Sequence, residues 1–159
     1  MERTARKNIF LVLGIAVIAF LDIITKFAVI MHLKPGQVIE MTSFFNMVFV
    51  LNKGIGFSLL SNVHNANLIM LAINSVVCLL LLVWMMREKN TLTTIGLMSV
   101  IGGAIGNLLD RATQGGVVDF LDFHLKGKHW PAFNLADAAI CLGAFLIILS
   151  LFKGSNKNA

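Results

Sequence analysis

Two aspartates, Asp119 and Asp122, stand three residues apart in the apolar stretch GGVVDFLDFH, and a third, Asp137, follows in FNLADAAICLG. A carboxyl group in apolar surroundings is costly as a charge, and two at close range cannot both ionise. Such a pair shares one proton, which leaves one member as a general base and the other as a general acid. That suffices to activate a water against an amide and to protonate the leaving amine, with neither a metal nor a nucleophilic side chain. If Val117 to Phe123 is extended, side chains alternate. Asp119 then shares a face with Val117, Leu121 and Phe123, and Asp122 shares the other with Val118 and Phe120. These two acids therefore do not pair with each other. One of them faces the helices and Asp137, and the other faces water or a partner strand. Alternation does not choose between them, because both faces are apolar.

Three further polar clusters fall in or beside apolar runs, where each charge is a functional-site hypothesis by default. Asp22 and Lys26 are four apart, on one helical face with the acid N-terminal to the base; a structural ion pair is the plainer reading. In GGAIGNLLDR, Asn107, Asp110 and Arg111 lie at i, i+3 and i+4, and Gly102 and Gly106 form a small-xxx-small pair that admits a neighbouring helix. Asp110 and Arg111 are expected to tie that helix end to the loops. Asn134 lies one turn before Asp137, where capping a helix and hydrogen-bonding a substrate are equal readings.

Other chemistries fit less well. Ser58, Ser61, Ser75, Ser99 and Ser150 have no local histidine motif. Cys78 and Cys141 lie within apolar runs, as packing thiols do. His124 and His129 flank Asp119 and Asp122, yet two histidines with aspartates form no recognised ligand spacing, so no metal or other cofactor is expected.

These residues must be positioned by helices in lipid. Hydrophobic residues make up 57% of the 159, charged ones 13%, against about a quarter in globular chains, and mean hydropathy is +0.84. Four apolar stretches approach the roughly 20 residues of a spanning helix: 9–30, 68–86, 92–109 and 132–152. The first follows Arg3, Arg6 and Lys7 but runs on through Asp22 without a small-residue cleavage site, so it reads as a retained helix. The intervening segments 31–67 and 110–131 lie on one side. Within them, Val38 to Leu60 and GGVVDFLDFH carry the β-branched and aromatic character of short strands. Extended backbone cannot face lipid, so both are expected at the membrane surface, packed on each other over the helix ends. Phe44, Phe45, Phe49, Phe57 and Trp130 read as interfacial anchors. The expected fold is thus membrane all-α with a small β part, in one domain over residues 1–159.

Arg3, Arg6, Lys7, Arg87, Lys89, Lys153 and Lys157 flank span ends on a common side, which the positive-inside rule makes cytoplasmic, with both termini there. Scattered cations, rather than a basic patch with recognition elements, set aside nucleic acid despite a pI near 9.6. A proton-coupled transporter would also line a path with intramembrane charges, but these acids cluster toward one surface and no paired broken helices are present. A non-catalytic assembly factor would use the same residues as interhelical glue, with no single carboxylate indispensable.

Five motifs in order, LDIITK, NKGIGF, GGAIGNLLDR, VVDF and FNLADAAICLG, resemble the lipoprotein signal peptidase (signal peptidase II) family over nearly the whole chain. The resemblance implies an aspartic endopeptidase of the bacterial cytoplasmic (inner) membrane, with four transmembrane helices and an outer β-cradle. It would cleave the signal peptide from a prolipoprotein just before a cysteine bearing a diacylglyceryl group, with membrane lipids as its other partners and the chain a monomer. Carried over, the catalytic pair falls on Asp119 and Asp137, which turns Asp119 inward. The supporting positions fall on Asp22, Lys26, Asn52, Gly54, Asn107, Asp110, Arg111, Asn134 and Ala136. Ile23 stands where the family often has glutamine and Gly56 where it often has alanine; neither touches the pair.

Overall fold

The structure, a computed structural model, describes the backbone of residues 2–54 and 65–155, and side chains over 8–54 and 65–153. The strand character expected through Leu60, together with Gly56, Phe57, Ser58 and Ser61, lies outside the described residues, as do the side chains of Arg3, Arg6, Lys7 and Lys157. Four helices, α1 (Glu2–His32), α2 (Ala66–Arg87), α3 (Thr91–Gln114) and α4 (Leu135–Ser155), are each long and apolar enough to cross a membrane. Four strands, β1 (Val38–Thr42), β2 (Phe45–Asn52), β3 (Val117–Leu125) and β4 (Lys128–His129), form one antiparallel sheet in the order β1-β2-β3-β4.

Half of the α3 span is buried inside the protein, against 17% of each other span, so α3 is the central helix. Its small residues make this possible. A Cβ on Gly96 would lie 2.7 Å from the Gly143 carbonyl oxygen of α4, and one on Gly102 would lie 2.8 Å from Cβ of Ile18 on α1. Polar links reinforce the contact with α4, from Ser99 Oγ to the Ala139 carbonyl (2.8 Å) and between Thr93 and Ser150 (2.7 Å). A core of Leu11, Cys78, Met85, Leu97 and Ile101 joins α1, α2 and α3. A second core, Val29, Leu33, Phe49, Val118 and Phe120, seats the sheet on the end of α1. Phe49 is thus buried rather than an interfacial anchor, whereas Phe44 and Trp130 are exposed.

Two span boundaries beside the polar residues differ from expectation. The fourth helix begins at Leu135 rather than at 132, because Phe133 is drawn into the sheet: its carbonyl accepts from the backbone N–H of Phe120 and Leu121, and its own N–H donates to Leu121. The third helix runs beyond 109 to Gln114 and stops where Gly115 takes a left-handed conformation (φ 72°), a glycine stop. Asp110 and Arg111 therefore project from a helix rather than from a loop.

The pairing of β2 with β3 contains one irregularity. Asn46 pairs with Asp122 and Met47 with Leu121, but the next partners are Val50 with Asp119 and Leu51 with Val118. Val48 and Phe49 together oppose the single residue Phe120, so β2 carries one extra residue there. Asn46 and Asn52, six apart, would share a face in an uninterrupted strand. The bulge sends them to opposite faces.

Candidate active site

Asp119 reaches inward from β3, where it is 3% exposed. Its Oδ2 accepts a hydrogen bond from Asn52 Nδ2 at 3.0 Å, a diagonal neighbour on β2, and its Oδ1 accepts from Asn134 Nδ2 at 2.7 Å. Asp137 stands in the first turn of α4. Its Oδ1 accepts from Asn107 Nδ2 at 2.8 Å. Asn134 and Asp137 also bond reciprocally: the Asn134 side chain accepts from the Asp137 N–H (2.9 Å), and Asp137 Oδ2 accepts from the Asn134 N–H (3.2 Å). This is a capping box, in which two orphan donors of the helix terminus are satisfied. Asn134 thus does both things the sequence left open, since its Oδ1 caps α4 while its Nδ2 holds Asp119.

Beneath this pair lies a charged layer. Lys26 Nζ, 1% exposed, meets Asp22 at 2.7 Å and Asp110 at 3.0 Å, and donates to Asn107 Oδ1 at 2.8 Å. With the ammonium on its oxygen, Asn107 presents its amide hydrogens to Asp137. Asp22 Oδ1 accepts from the Ala136 N–H at 2.8 Å, placing a carboxylate at the start of α4, where helix charge favours it. Asp110 Oδ2 accepts from the Val118 N–H (2.9 Å) and so fixes β3 beside Asp119. Arg111 donates through a terminal nitrogen to the Gly54 carbonyl (2.9 Å), tying the end of β2 to α3. The ion pair expected to be merely structural therefore links α1, α3, β3 and α4 around the two acids.

Asp119 and Asp137 open onto one cavity of about 570 Å³, also lined by Asn52, Gly54, Asn107 and Arg111, by the Trp130–Phe133 segment, and by Met70, Asn74 and Cys141. The model of the family described as signal peptidase II matches residues 14–153. Lipoprotein signal peptidases of Pseudoalteromonas atlantica (38% identical, covering 91% of both chains) and Francisella tularensis subsp. novicida (40%, 94% of both) are among the relatives. So is that of Ralstonia nicotianae, 41% identical over 86% of this chain and 81% of its own. The chain belongs to the signal peptidase II family. Two solved structures of bacterial membrane enzymes are similar, with TM-scores of 0.83 and 0.81 at 25% and 26% identity, covering 94% and 91% of this chain and 92% and 93% of theirs. As a signal peptidase II family member the chain is a peptidase, and its four spans make it a multi-pass bacterial membrane protein.

Within this signal peptidase II fold, burial pushes the Asp119 carboxyl up to about 7. The hydrogen bonds from Asn52 and Asn134 act against that rise, as does the charge of Lys26, while the neighbouring Asp137 adds to it. Asp122 is treated oppositely. It turns to the other face of β3, where Asn46 Nδ2 donates to it at 2.8 Å and the His129 ring at 2.9 Å. Burial acts upward there too, yet these bonds hold Asp122 below the usual carboxylate range. His124 and His129 stack on each other (ring centroids 4.8 Å apart). They sit with Asp122 and away from Asp119, and among the described residues no group of three or more His, Cys, Asp or Glu is arranged to hold a metal.

Several residues around the site escaped the sequence reading. Asn46 and Asn74 are polar residues in apolar runs, a signal that was present. Cys141 was expected to be packing, but it is exposed and lines the cavity one turn beyond Asp137, whereas Cys78 is buried. Its accessibility depends on where α4 begins, which the sequence did not reveal.

Proposed function

We propose that this chain is one integral membrane domain, a monomeric aspartic endopeptidase that removes the signal peptide from diacylglyceryl-modified prolipoproteins by cleaving before the lipidated cysteine. The observation that carries the reading is the convergence of Asp119 and Asp137, from a strand and a helix, on one cavity through a shared set of asparagines. Asn52, Gly54, Asn107, Asp110, Arg111, Asn134, Ala136, Asp22 and Lys26 hold that pair.

Burial pushes the Asp119 carboxyl up to about 7, and on that basis the pair's single proton is assigned to Asp119 at the start of the cycle, with Asp137 as the general base. Asp137 takes a proton from water as the water oxygen bonds to the scissile carbonyl carbon. The carbonyl oxygen receives the Asp119 proton, giving a neutral gem-diol. Asp137 then passes its proton to the amide nitrogen as the C–N bond breaks, and one diol hydroxyl returns a proton to Asp119. The acid and the amine leave, and both carboxyls are as they began.

The lipid matters for position as much as for affinity. A signal helix alone slides and tilts at a cost of fractions of a kcal/mol per Å. Two acyl chains, at about 0.8 kcal/mol per buried methylene, pin the adjacent cysteine at the interface, and small misplacements of reacting atoms cost rate. Purified protein in detergent is expected to shorten a lipidated precursor. Asp119→Asn and Asp137→Asn lose cleavage while remaining folded, and Asp122→Asn keeps substantial activity. The unlipidated form of the same precursor turns over more slowly even at saturation. Retained activity in either Asp119→Asn or Asp137→Asn rejects the mechanism, and equal efficiency on both precursors rejects the substrate.

A further inference from the structure

Asn74 projects from α2 into the wall of the cavity that holds Asp119 and Asp137. An amide inside an apolar span is costly unless satisfied, and such residues ordinarily serve as interhelical glue. The hydroxyls within the same spans are satisfied: Ser75 Oγ donates to the Leu71 carbonyl at 2.7 Å, and Ser99 Oγ to the Ala139 carbonyl of α4. Asn74 meets no hydrogen-bond partner among the described residues. Its two donors and one acceptor are left to whatever occupies the cavity.

Depth identifies that occupant. At 1.5 Å per residue, Asn74 lies roughly 12 Å along α2 from Ala66, and Asp137 roughly 3 Å along α4 from Leu135, both counted from the outer helix ends. The amide therefore stands roughly 9 Å deeper than the carboxyl, on the side from which a membrane-embedded signal peptide approaches. An extended chain crosses that interval in about three residues. A transmembrane segment satisfies its backbone only while helical, and a peptidase must unwind it near the scissile bond. Unwinding frees the carbonyls of the last turn where no water is available to replace the lost bonds.

We propose that Asn74 is a substrate-positioning residue whose side-chain amide pairs with the backbone freed where the signal helix unwinds, about three residues before the cleavage site. This rests on the proposed function and names the contact that lets a helical membrane substrate present an extended bond. Backbone recognition also makes the contact tolerant of side-chain sequence.

The test uses the full-length enzyme and synthetic lipidated precursors in which single backbone amides, two to five residues before the cleavage site, are replaced by esters, which accept hydrogen bonds weakly. Because the contact forms with bound substrate and transition state alike, Asn74→Leu is expected to raise KM about five- to tenfold and to leave kcat within about twofold. Its thermal midpoint stays unchanged or rises. One ester position weakens binding to the native enzyme and has no further effect on Asn74→Leu, while Asn74→Gln recovers part of the loss. Native KM in Asn74→Leu, or ester effects identical in the two enzymes, would overturn the proposal. Failure of the native chain to cleave any lipidated precursor would instead overturn the function beneath it, and this proposal with it.

Discussion

The amide of Asn134 accepts from the Asp137 N–H and donates to Asp119, so helix capping and support of the acid pair are one act of one side chain. The sequence exposed the two motifs but not this link, since a hydrogen bond between residues 15 apart depends on a turn that periodicity does not describe. Nor did alternation choose between Asp119 and Asp122, because both turn out buried, one toward the cavity and the other toward Asn46 and His129. Their opposite environments separate them in pH. Burial raises the folded Asp119 from the ordinary 3.8 to about 7, so the folded state binds its proton more tightly than the unfolded state does. Stability contributed by the neutral carboxyl is present at low pH, is lost as pH rises between about 4 and 7, and stays lost above that. Asp119→Asn is therefore expected to be inactive yet more stable than the native chain above pH 7, by about 1 to 4 kcal/mol, with the gain fading toward pH 4. Thermal unfolding in detergent across that range checks this; a pH-independent difference would refute it. The rate on native substrate should fall on the alkaline side near pH 7, as the shared proton is lost.

At the scale of elements, the number of helices and the strand character of 117–123 were legible because lipid demands long apolar runs and forbids exposed extended backbone. The boundaries were not. Phe133 is apolar enough to join a span, and only its pairing with Leu121 reveals it as sheet. A close approach to α3 by some neighbouring helix was readable in Gly102 and Gly106, though not that α1 makes it or what it protects. A Cβ at Gly106 would collide with the Asp22 carboxylate and lie 3.0 Å from its Cγ, in a side chain held fast by Lys26 and Ala136. Gly106→Ala is thus expected to destabilise by about 1–3 kcal/mol and to slow cleavage at least tenfold, since Asp22 cannot shift without disturbing the start of α4. Gly115→Ala, with open space around it but φ at 72°, should cost about 1 kcal/mol and leave the rate alone. Unfolding midpoints and turnover of the two variants separate a packing effect on the site from backbone strain remote from it. Wild-type behaviour of Gly106→Ala would refute the close packing.

For the whole molecule, the sheet, the end of α1 and the starts of α2 and α4 gather at one end, and the short turn between Arg87 and Asn90 lies at the other. The positive-inside rule predicts Arg87 and Lys89 on the cytoplasmic side and therefore the β3–β4 hairpin at Lys126 and Gly127 outside. In a background lacking Cys78 and Cys141, an impermeant thiol reagent applied to spheroplasts is expected to label Lys126→Cys and not Lys89→Cys. The reverse pattern would invert the orientation and put the acid pair on the wrong side for an exported substrate. The bulge in β2 has a consequence of another kind. Asn46 and Asn52 are an even number of steps apart, Asp119 and Asp122 an odd number, and two regular strands cannot match an even count to an odd one. Part of the site is therefore written as arithmetic rather than as residue identity. Exchanging one amino acid for another leaves that sum untouched, whereas losing either codon between Met47 and Val50 would make both counts odd, so that β2 and β3 could pair without the extra residue and still aim Asn52 at Asp119.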